Sequence, residues 1–141
     1  MTGLHILMID DSEQDIMLIS EALNNSGIVK SLKALHNGEE ALKYLRKESP
    51  FESSTLPDLI LMDINMPVMD GHETLEHIKT DEQLKHIPVI MLTTSSAEKD
   101  IKKAYQHYSN SYIIKPNAFS DLDSIVETIR DYWLNTVRLS E

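Results

Sequence analysis

Residues 59–71 read LILMDINMPVMDG, and this stretch decides the fold class. The run Leu59–Met62 is a solid apolar block, which is typical of a strand buried on both faces of a parallel sheet. Asp63 follows this block at once, and Asp70-Gly71 marks a turn ahead of a helical pattern. The stretch therefore predicts a buried strand with an acidic residue at its end, followed by a turn and a helix.

The same alternation of apolar runs and helical patterns recurs five times along the chain. The predicted strands are residues 4–9, 29–35, 59–62, 88–92 and 112–114. Ser12 is the predicted N-cap of the first helix, Gly38 precedes the second, residues 50–57 form a polar loop, and the fourth helix spans 97–108. A long last helix is predicted from about residue 119, with Leu122, Ile125, Ile129 and Trp133 on one face. We therefore expect residues 1–141 to form a single α/β domain, a doubly wound parallel sheet with helices on both faces.

Composition excludes several classes of protein. The net charge is −10, and no basic cluster is visible, which argues against direct binding of nucleic acid. No apolar run reaches the length of a membrane span, and the first residues do not resemble a secretory signal. Cysteine is absent, which excludes disulfides and thiolate metal sites. We expect a cytoplasmic protein.

Polar residues follow the predicted strands, where sites form in a doubly wound sheet. They are three carboxylates, two hydroxyls and an ammonium group: Asp10, Asp11, Asp63, Thr93, Thr94 and Lys115. Taken singly, each has an ordinary structural explanation; the Asp10-Asp11 pair, for example, could merely cap a helix. Their coincidence at four strand ends favours a functional site.

This set of groups suits phosphoryl transfer. Carboxylates held together repel one another, and Mg²⁺ relieves the repulsion while keeping room for waters and a phosphate oxygen. Asp63 could act as a nucleophile that becomes an aspartyl phosphate. Lys115 would contact the phosphate as a point charge, and Thr93 or Thr94 would donate a hydrogen bond to it.

Four segments together resemble the receiver domains of two-component response regulators. They are residues 6–12, ILMIDDS; residues 59–71, quoted above; residues 88–94, PVIMLTT; and residues 112–116, YIIKP. The resemblance covers nearly the whole chain. It implies the flavodoxin-like receiver fold of that family, a five-stranded parallel sheet in the order 2-1-3-4-5.

The resemblance also implies roles for individual residues. Asp63 would accept a phosphoryl group from a phosphohistidine on a sensor histidine kinase or phosphotransfer protein. Asp10, Asp11, Asp63 and the backbone carbonyl of Asn65 would bind Mg²⁺, and Lys115 would contact the phosphate. Thr93 would be the switch hydroxyl and Tyr112 the aromatic that follows it; the alternative for Tyr112 is an ordinary half-exposed edge residue.

Two departures from the family pattern are visible. Residues 105–111 contain no glycine before the fifth strand, and the loop at 50–57 is longer than usual. With the long last helix, these features resemble the small single-domain regulators that partner bacterial phytochrome kinases.

The resemblance implies a signalling switch that dephosphorylates itself slowly and is not a true enzyme. Two other functions are alternatives to it. A phosphatase of the haloacid-dehalogenase type needs a second Asp two residues after the nucleophile, where this chain has Asn65. A receiver that acts only as a phosphorylation-independent scaffold is not favoured, because every expected site residue is present.

Two further expectations concern the surface. Trp133, Leu134, Val137 and Leu139 extend the apolar stripe of the last helix. They indicate either packing within the chain or a homodimer through the fourth helix, the fifth strand and the last helix. The six histidines, including His72 and His77, lack metal-ligand spacing, and we expect them on the surface.

Overall fold

A computed structural model describes residues 3–93, 102, 111–114 and 122–132. Its parallel sheet has five strands in the order β2-β1-β3-β4-β5. The strands are β1 (Leu4–Ile9), β2 (Val29–Leu35), β3 (Leu59–Met62), β4 (Val89–Thr93) and β5 (Ser111–Ile114). The helices are α1 (Glu13–Asn25), α2 (Gly38–Leu45), α3 (Gly71–Thr80) and α4 (Leu122–Tyr132). The predicted fold class and strand order are confirmed.

Two apolar clusters cover the two faces of the sheet. Strand side chains alternate between the faces, so a central strand such as β3 must be apolar at every position. One cluster packs α2 and α3 against the sheet and includes Leu42, Leu75 and Met62. The other packs α1 and α4 and includes Ile19, Leu61 and Ile129. Met8, Met62 and Met91 are buried, as predicted for core-filling methionines.

Each of the first three helices begins at a side-chain cap. Ser12, Asn37 and Asp70 each accept a hydrogen bond from the backbone N–H three residues on, at 3.3, 2.8 and 2.9 Å. These caps satisfy N–H groups that have no partner within the helix. The predicted cap at Ser12 is confirmed. Because Asn37 and Asp70 are caps, Gly38 and Gly71 are the first residues of α2 and α3.

Most differences from the predicted elements are small. β4 runs one residue later than predicted at each end, and β5 begins one residue earlier. The predicted fourth helix lies outside the described residues except for Lys102, which is helical. Trp133, Leu134, Val137 and Leu139 also lie outside them. None of the described helices combines the length and the apolar character that a bilayer span requires.

The predicted polar loop between α2 and β3 is anchored by an aromatic residue. The ring centres of Phe51 and Tyr44 lie 5.5 Å apart in an edge-to-face arrangement. The ammonium of Lys33 lies 5.8 Å from the centre of the Phe51 ring. The hydroxyl of Ser54 donates to the carbonyl of Tyr44 at 2.7 Å. Burial raises the pKa of the Tyr44 hydroxyl. This loop lies at the amino end of β3, away from Asp63.

β2 forms one edge of the described sheet and has β1 as its neighbour. Its first six residues are half-buried or exposed, and the exposed ones include Lys30 and Lys33. This explains why its sequence is less apolar than those of β1 and β3.

Candidate functional site

The carboxyl ends of the central strands carry the predicted acidic residues. Ile9 of β1 is in register with Met62 of β3, which is in register with Met91 of β4. Asp10 comes directly after Ile9, and Asp63 comes directly after Met62. The N–H of Asp63 donates to the carbonyl of Ile9 at 2.9 Å, so the two strands are still joined at this point. Asp10 and Asp63 therefore leave neighbouring strands at the same level.

Three carboxylates meet at this edge of the sheet. One oxygen from each of Asp10, Asp11 and Asp63 lies within 4.8 Å of the other two. Asp10 and Asp63 are only 1% and 8% exposed, whereas Asp11 is exposed. Oδ1 of Asp10 accepts the N–H of Ser12 at 2.9 Å, and Oδ1 of Asp63 accepts the N–H of Ile64 at 2.8 Å. Backbone donors therefore orient both buried carboxylates.

Helix capping does not account for the acidic pair. The cap of α1 is Ser12, whose hydroxyl accepts the N–H of Asp15, and Asp10 bonds to Ser12 ahead of the helix. Capping thus leaves the side chain of Asp11 unexplained.

The donor set fits a small divalent cation. Carboxylate oxygens are hard ligands, and oxygens bound to one octahedral Mg²⁺ at about 2.0–2.1 Å lie roughly 3–4 Å apart. The observed spread of 4.8 Å is close to that range. Three carboxylates at this distance repel one another, so a cation would remove an electrostatic cost. The cluster can therefore hold a divalent metal ion.

The loop between β3 and α3 packs tightly against Asp63. The N–H of Gly71 donates to the carbonyl of Ile64 at 2.8 Å. A Cβ on Gly71 would overlap the carbonyl oxygen of Asp63 and lie 2.8 Å from Cα of Ile64. The sequence indicates a turn at Gly71 but not this contact. A glycine in the first turn of a helix, where helix propensity disfavours it, is the signal that could have revealed it.

Asn65 lies two residues after Asp63 in the same loop, and its side chain is exposed. An exposed side chain is compatible with the predicted use of its backbone carbonyl, because that role requires nothing of the amide group. Asn65 thus lies next to the acidic cluster in sequence.

The other predicted site residues lie on or beyond β4 and β5. Thr93 is the last residue of β4 and is in register with Ile114, the last residue of β5. Tyr112 of β5 is in register with Met91. Thr94 and Lys115 lie outside the described residues.

The prediction that all six histidines lie on the surface is wrong for His72. This residue occupies the first turn of α3 and is 4% exposed. It directly follows Gly71, whose contact with Asp63 brings this turn close to the end of β3. Close packing at that point buries a side chain whose polarity suggests exposure.

The sequence profile described as "Response regulator receiver domain" matches residues 6–127, from β1 into α4. The chain belongs to the response regulator receiver family. This finding confirms the resemblance on which the predicted fold and function class depend.

Two curated relatives cover most of this receiver. Rcp1 of Synechocystis sp., a response regulator, is 40% identical over 134 residues, which are 95% of this chain and 91% of Rcp1. FilR2 of Methanothrix harundinacea, described as a probable methanogenesis regulatory protein, is 43% identical over 129 residues, which are 92% of this chain and 83% of FilR2.

Two crystal structures share the receiver's architecture. The phosphorylated cyanobacterial phytochrome response regulator RcpA has a TM-score of 0.89 and 42% identity, with 96% of each chain covered. The Mn(2+)-bound form of Rcp1 has a TM-score of 0.87 and 39% identity, with 95% of this chain and 96% of Rcp1 covered. The predicted similarity to phytochrome-associated regulators is confirmed. The chain is a response regulator of two-component signalling.

Proposed function

We propose that this receiver is a Mg²⁺-dependent phosphorylation switch and that Asp63 accepts the phosphoryl group. The observation that carries the proposal is the meeting of Asp10, Asp11 and Asp63 at the carboxyl edge of the sheet. Asp63 directly follows β3, the central strand, and the acidic pair that follows β1 lies beside it. It is buried enough to be held in one orientation and keeps a small exposed surface through which a donor can reach it.

The proposed reaction transfers a phosphoryl group from nitrogen to oxygen. A carboxylate oxygen of Asp63 attacks the phosphorus of a phosphohistidine, the P–N bond breaks, and its electron pair stays on the imidazole nitrogen. That nitrogen takes up a proton, and the product is an aspartyl phosphate. Hydrolysis by water later releases phosphate and restores the carboxylate.

The metal would be held by Asp10, Asp11, Asp63 and the backbone carbonyl of Asn65. Mg²⁺ at this point would neutralise charge on the transferring group. The choice of Mg²⁺ is supported by the all-oxygen donor set. Within the chain itself, the N–H groups of Ser12 and Ile64 keep the buried carboxylates oriented for this role.

Three residues, two on the last two strands and one directly after β5 in sequence, complete the proposed switch. Thr93 would donate its hydroxyl to the attached phosphoryl group, Lys115 would contact it as a cation, and Tyr112 would reorient with Thr93. The backbone register supports this arrangement, because Thr93 ends β4 beside Ile114 and Lys115 is the next residue of the chain.

The proposed phosphoryl donor is a histidine kinase or a phosphotransfer protein, and specifically a phytochrome kinase. The similarity to RcpA and Rcp1 over nearly the whole chain supports the phytochrome assignment. We propose a switch without substrate turnover of its own, because Asn65 cannot serve as the general acid that a haloacid-dehalogenase phosphatase uses.

The direct test is phosphorylation by acetyl phosphate in the presence of Mg²⁺, followed by intact-mass spectrometry. The wild-type protein should gain one phosphoryl group, and Asp63→Asn should gain none. Asp58→Asn is a matched control, because Asp58 lies at the opposite end of the same strand. Failure to label the wild-type protein, or equal labelling of Asp63→Asn, would contradict the proposal. Phosphotransfer profiling against sensor kinases would then identify the donor.

We also propose that residues 1–141 form one receiver domain whose last helix extends beyond Tyr132 and supports a homodimer. The apolar residues of 133–139 support the extension, since they continue the stripe that includes Ile129. Sedimentation velocity should detect a dimer, with or without phosphorylation. A monomer under both conditions would remove this part of the proposal.

A further inference from the structure

The first residue of α2 lies in close contact with the beginning of α3. A Cβ on Gly38 would overlap Oγ1 of Thr74 and would lie 3.1 Å from its Cβ. It would also lie 3.2 Å from the backbone carbonyl oxygen of Met69, in the loop between β3 and α3. The absence of a side chain at position 38 therefore determines how closely α2 approaches that loop.

Thr74 has little freedom to move aside. It is fully buried, and both its hydroxyl and its N–H donate to the carbonyl of Asp70, at 2.8 and 3.0 Å. Its branched side chain has two γ atoms on a stiff χ1 torsion. Asp70 is in turn the N-cap of α3. Thr74 thus transmits a displacement at Gly38 to the first turn of α3.

A second close contact involves Gly71, the first residue of the same helix. Gly71 packs against the carbonyl oxygen of Asp63 with no room for a Cβ. The segment from Met69 to Thr74 therefore contacts both the start of α2 and the end of β3, and neither contact leaves room for an added Cβ. A protein interior packed this closely transmits such a displacement and cannot absorb it in a void.

We infer that Gly38 is a positioning residue for the metal site of this receiver, acting through Thr74 and the β3–α3 loop. The inference rests on the proposed function, because the loop that it positions joins Asp63 to α3 and includes Asn65. Gly38 itself contributes no ligand. Because Gly38 has no side chain, α2 can pack close to Thr74 and Met69, and this packing keeps the β3–α3 loop next to the acidic cluster.

The first measurement is the affinity for Mn²⁺, used alone as the probe and followed by electron paramagnetic resonance. Gly38→Ala should raise the Mn²⁺ dissociation constant by about 10-fold, as loss of a supporting group around a metal site typically does. The inference would be overturned by a Gly38→Ala protein with wild-type affinity.

A second variant tests the route through Thr74. Thr74→Ala removes the atom that a Cβ at position 38 would overlap. The double variant Gly38→Ala/Thr74→Ala should bind Mn²⁺ as tightly as Thr74→Ala alone, a coupling that independent sites do not show. Failure of the double variant to recover affinity would contradict transmission through Thr74.

Gly27→Ala is the matched control for general destabilisation. Gly27 has φ +80° and no atom within 4 Å of its would-be Cβ, so alanine strains the backbone without a steric contact. Gly27→Ala should have a lower free energy of unfolding than wild type and the same Mn²⁺ affinity. If Gly27→Ala lost as much Mn²⁺ affinity as Gly38→Ala, the effect of Gly38→Ala would reflect lowered stability and not positioning. If wild-type protein binds Mn²⁺ but acetyl phosphate does not label it, the phosphorylation proposal fails and the positioning inference remains testable.

Discussion

Val68 combines two unfavourable features at one position of the β3–α3 loop. It has φ +70°, in the left-handed region, and its apolar side chain is 75% exposed. A left-handed conformation costs a residue with a Cβ roughly 1–2 kcal/mol, and a β-branched side chain tolerates it poorly. The residue is held there by its neighbours, because the N–H of Met69 donates to the carbonyl of Pro67 at 2.7 Å.

Replacing Val68 with glycine should therefore stabilise the protein. Glycine adopts positive φ without strain but loses more freedom on folding, so the net gain should be about 1 kcal/mol. Urea denaturation measures the gain, and Val68→Ala is the control because it keeps the Cβ and should gain much less. Equal stabilities of Val68→Gly and Val68→Ala would show that the exposed apolar side chain, and not the backbone, carries the cost.

Lys79 near the end of α3 holds the loop that leads into β4. Its ammonium donates to the carbonyl of Ile87 at 2.6 Å and to that of Lys85 at 3.2 Å. Lys79→Met keeps the aliphatic stem and removes both hydrogen bonds. We expect it to lower the free energy of unfolding by about 1 kcal/mol at pH 7, measured by urea denaturation.

The same variant should respond to pH in a defined direction. Burial lowers the pKa of Lys79 in the folded protein, so the unfolded chain holds this proton to a higher pH. Between the lowered pKa and the unfolded value of about 10.4, stability due to Lys79 increases as pH rises. The stability difference between wild type and Lys79→Met should therefore be larger at pH 10 than at pH 7. A constant or smaller difference would contradict this assignment.

At the scale of elements, the loop between α2 and β3 is ordered by Phe51. Phe51→Ala removes the ring contact with Tyr44 and the contact with Lys33, which should lower the free energy of unfolding by about 1–2 kcal/mol. Limited proteolysis should then cut within residues 48–57 faster than in wild type. Mn²⁺ affinity should be unchanged, because the loop lies at the edge of the sheet opposite Asp63; a loss of affinity would refute that separation.

The elements also show where sequence patterns suffice and where they fail. β1, β2 and β3 have the predicted bounds, because apolar runs and flanking polar residues mark them locally. The surface position predicted for His72 is wrong, because its burial depends on how closely α3 packs against the end of β3. The left-handed conformation of Val68 is equally invisible in the sequence, since valine gives no local signal for positive φ.

The functional site, too, has features that the sequence predicts and features that depend on tertiary packing. The sequence places Asp10, Asp11 and Asp63 at strand ends, but their spacing depends on the register that pairs Ile9 with Met62. A glycine at the start of a helix marks Gly38 and Gly71 as possible points of close approach, but the atoms that they contact belong to other segments and are not named by the local sequence. Motif order thus identifies the acidic residues and not the contacts that fix them.

For the whole molecule, a divalent cation should stabilise the fold. A ligand that binds the folded state alone at 100 times its dissociation constant adds about 2.7 kcal/mol to the free energy of unfolding. We expect this gain for wild type in MgCl₂ and a much smaller one for Asp10→Asn, measured by urea denaturation.

In metal-free buffer we expect Asp10→Asn, and not wild type, to have the larger free energy of unfolding. Asp10→Asn removes one of three neighbouring charges while its amide oxygen can still accept the N–H of Ser12. It should therefore be more stable than wild type without metal, whereas Asp58→Asn should keep the full response to MgCl₂. Equal responses of wild type and Asp10→Asn would indicate that the cation does not bind at this cluster.

The outer side of β2 has a consequence for how copies of this protein can meet. An uncovered strand edge is a template for sheet growth and fibril formation, and exposed lysines are a common defence against it. β2, the strand at this edge, carries the exposed residues Lys30 and Lys33, in a chain whose net charge is −10. Edge-to-edge pairing of β2 from two copies would bring ammonium groups close together. This repulsion disfavours sheet growth through β2.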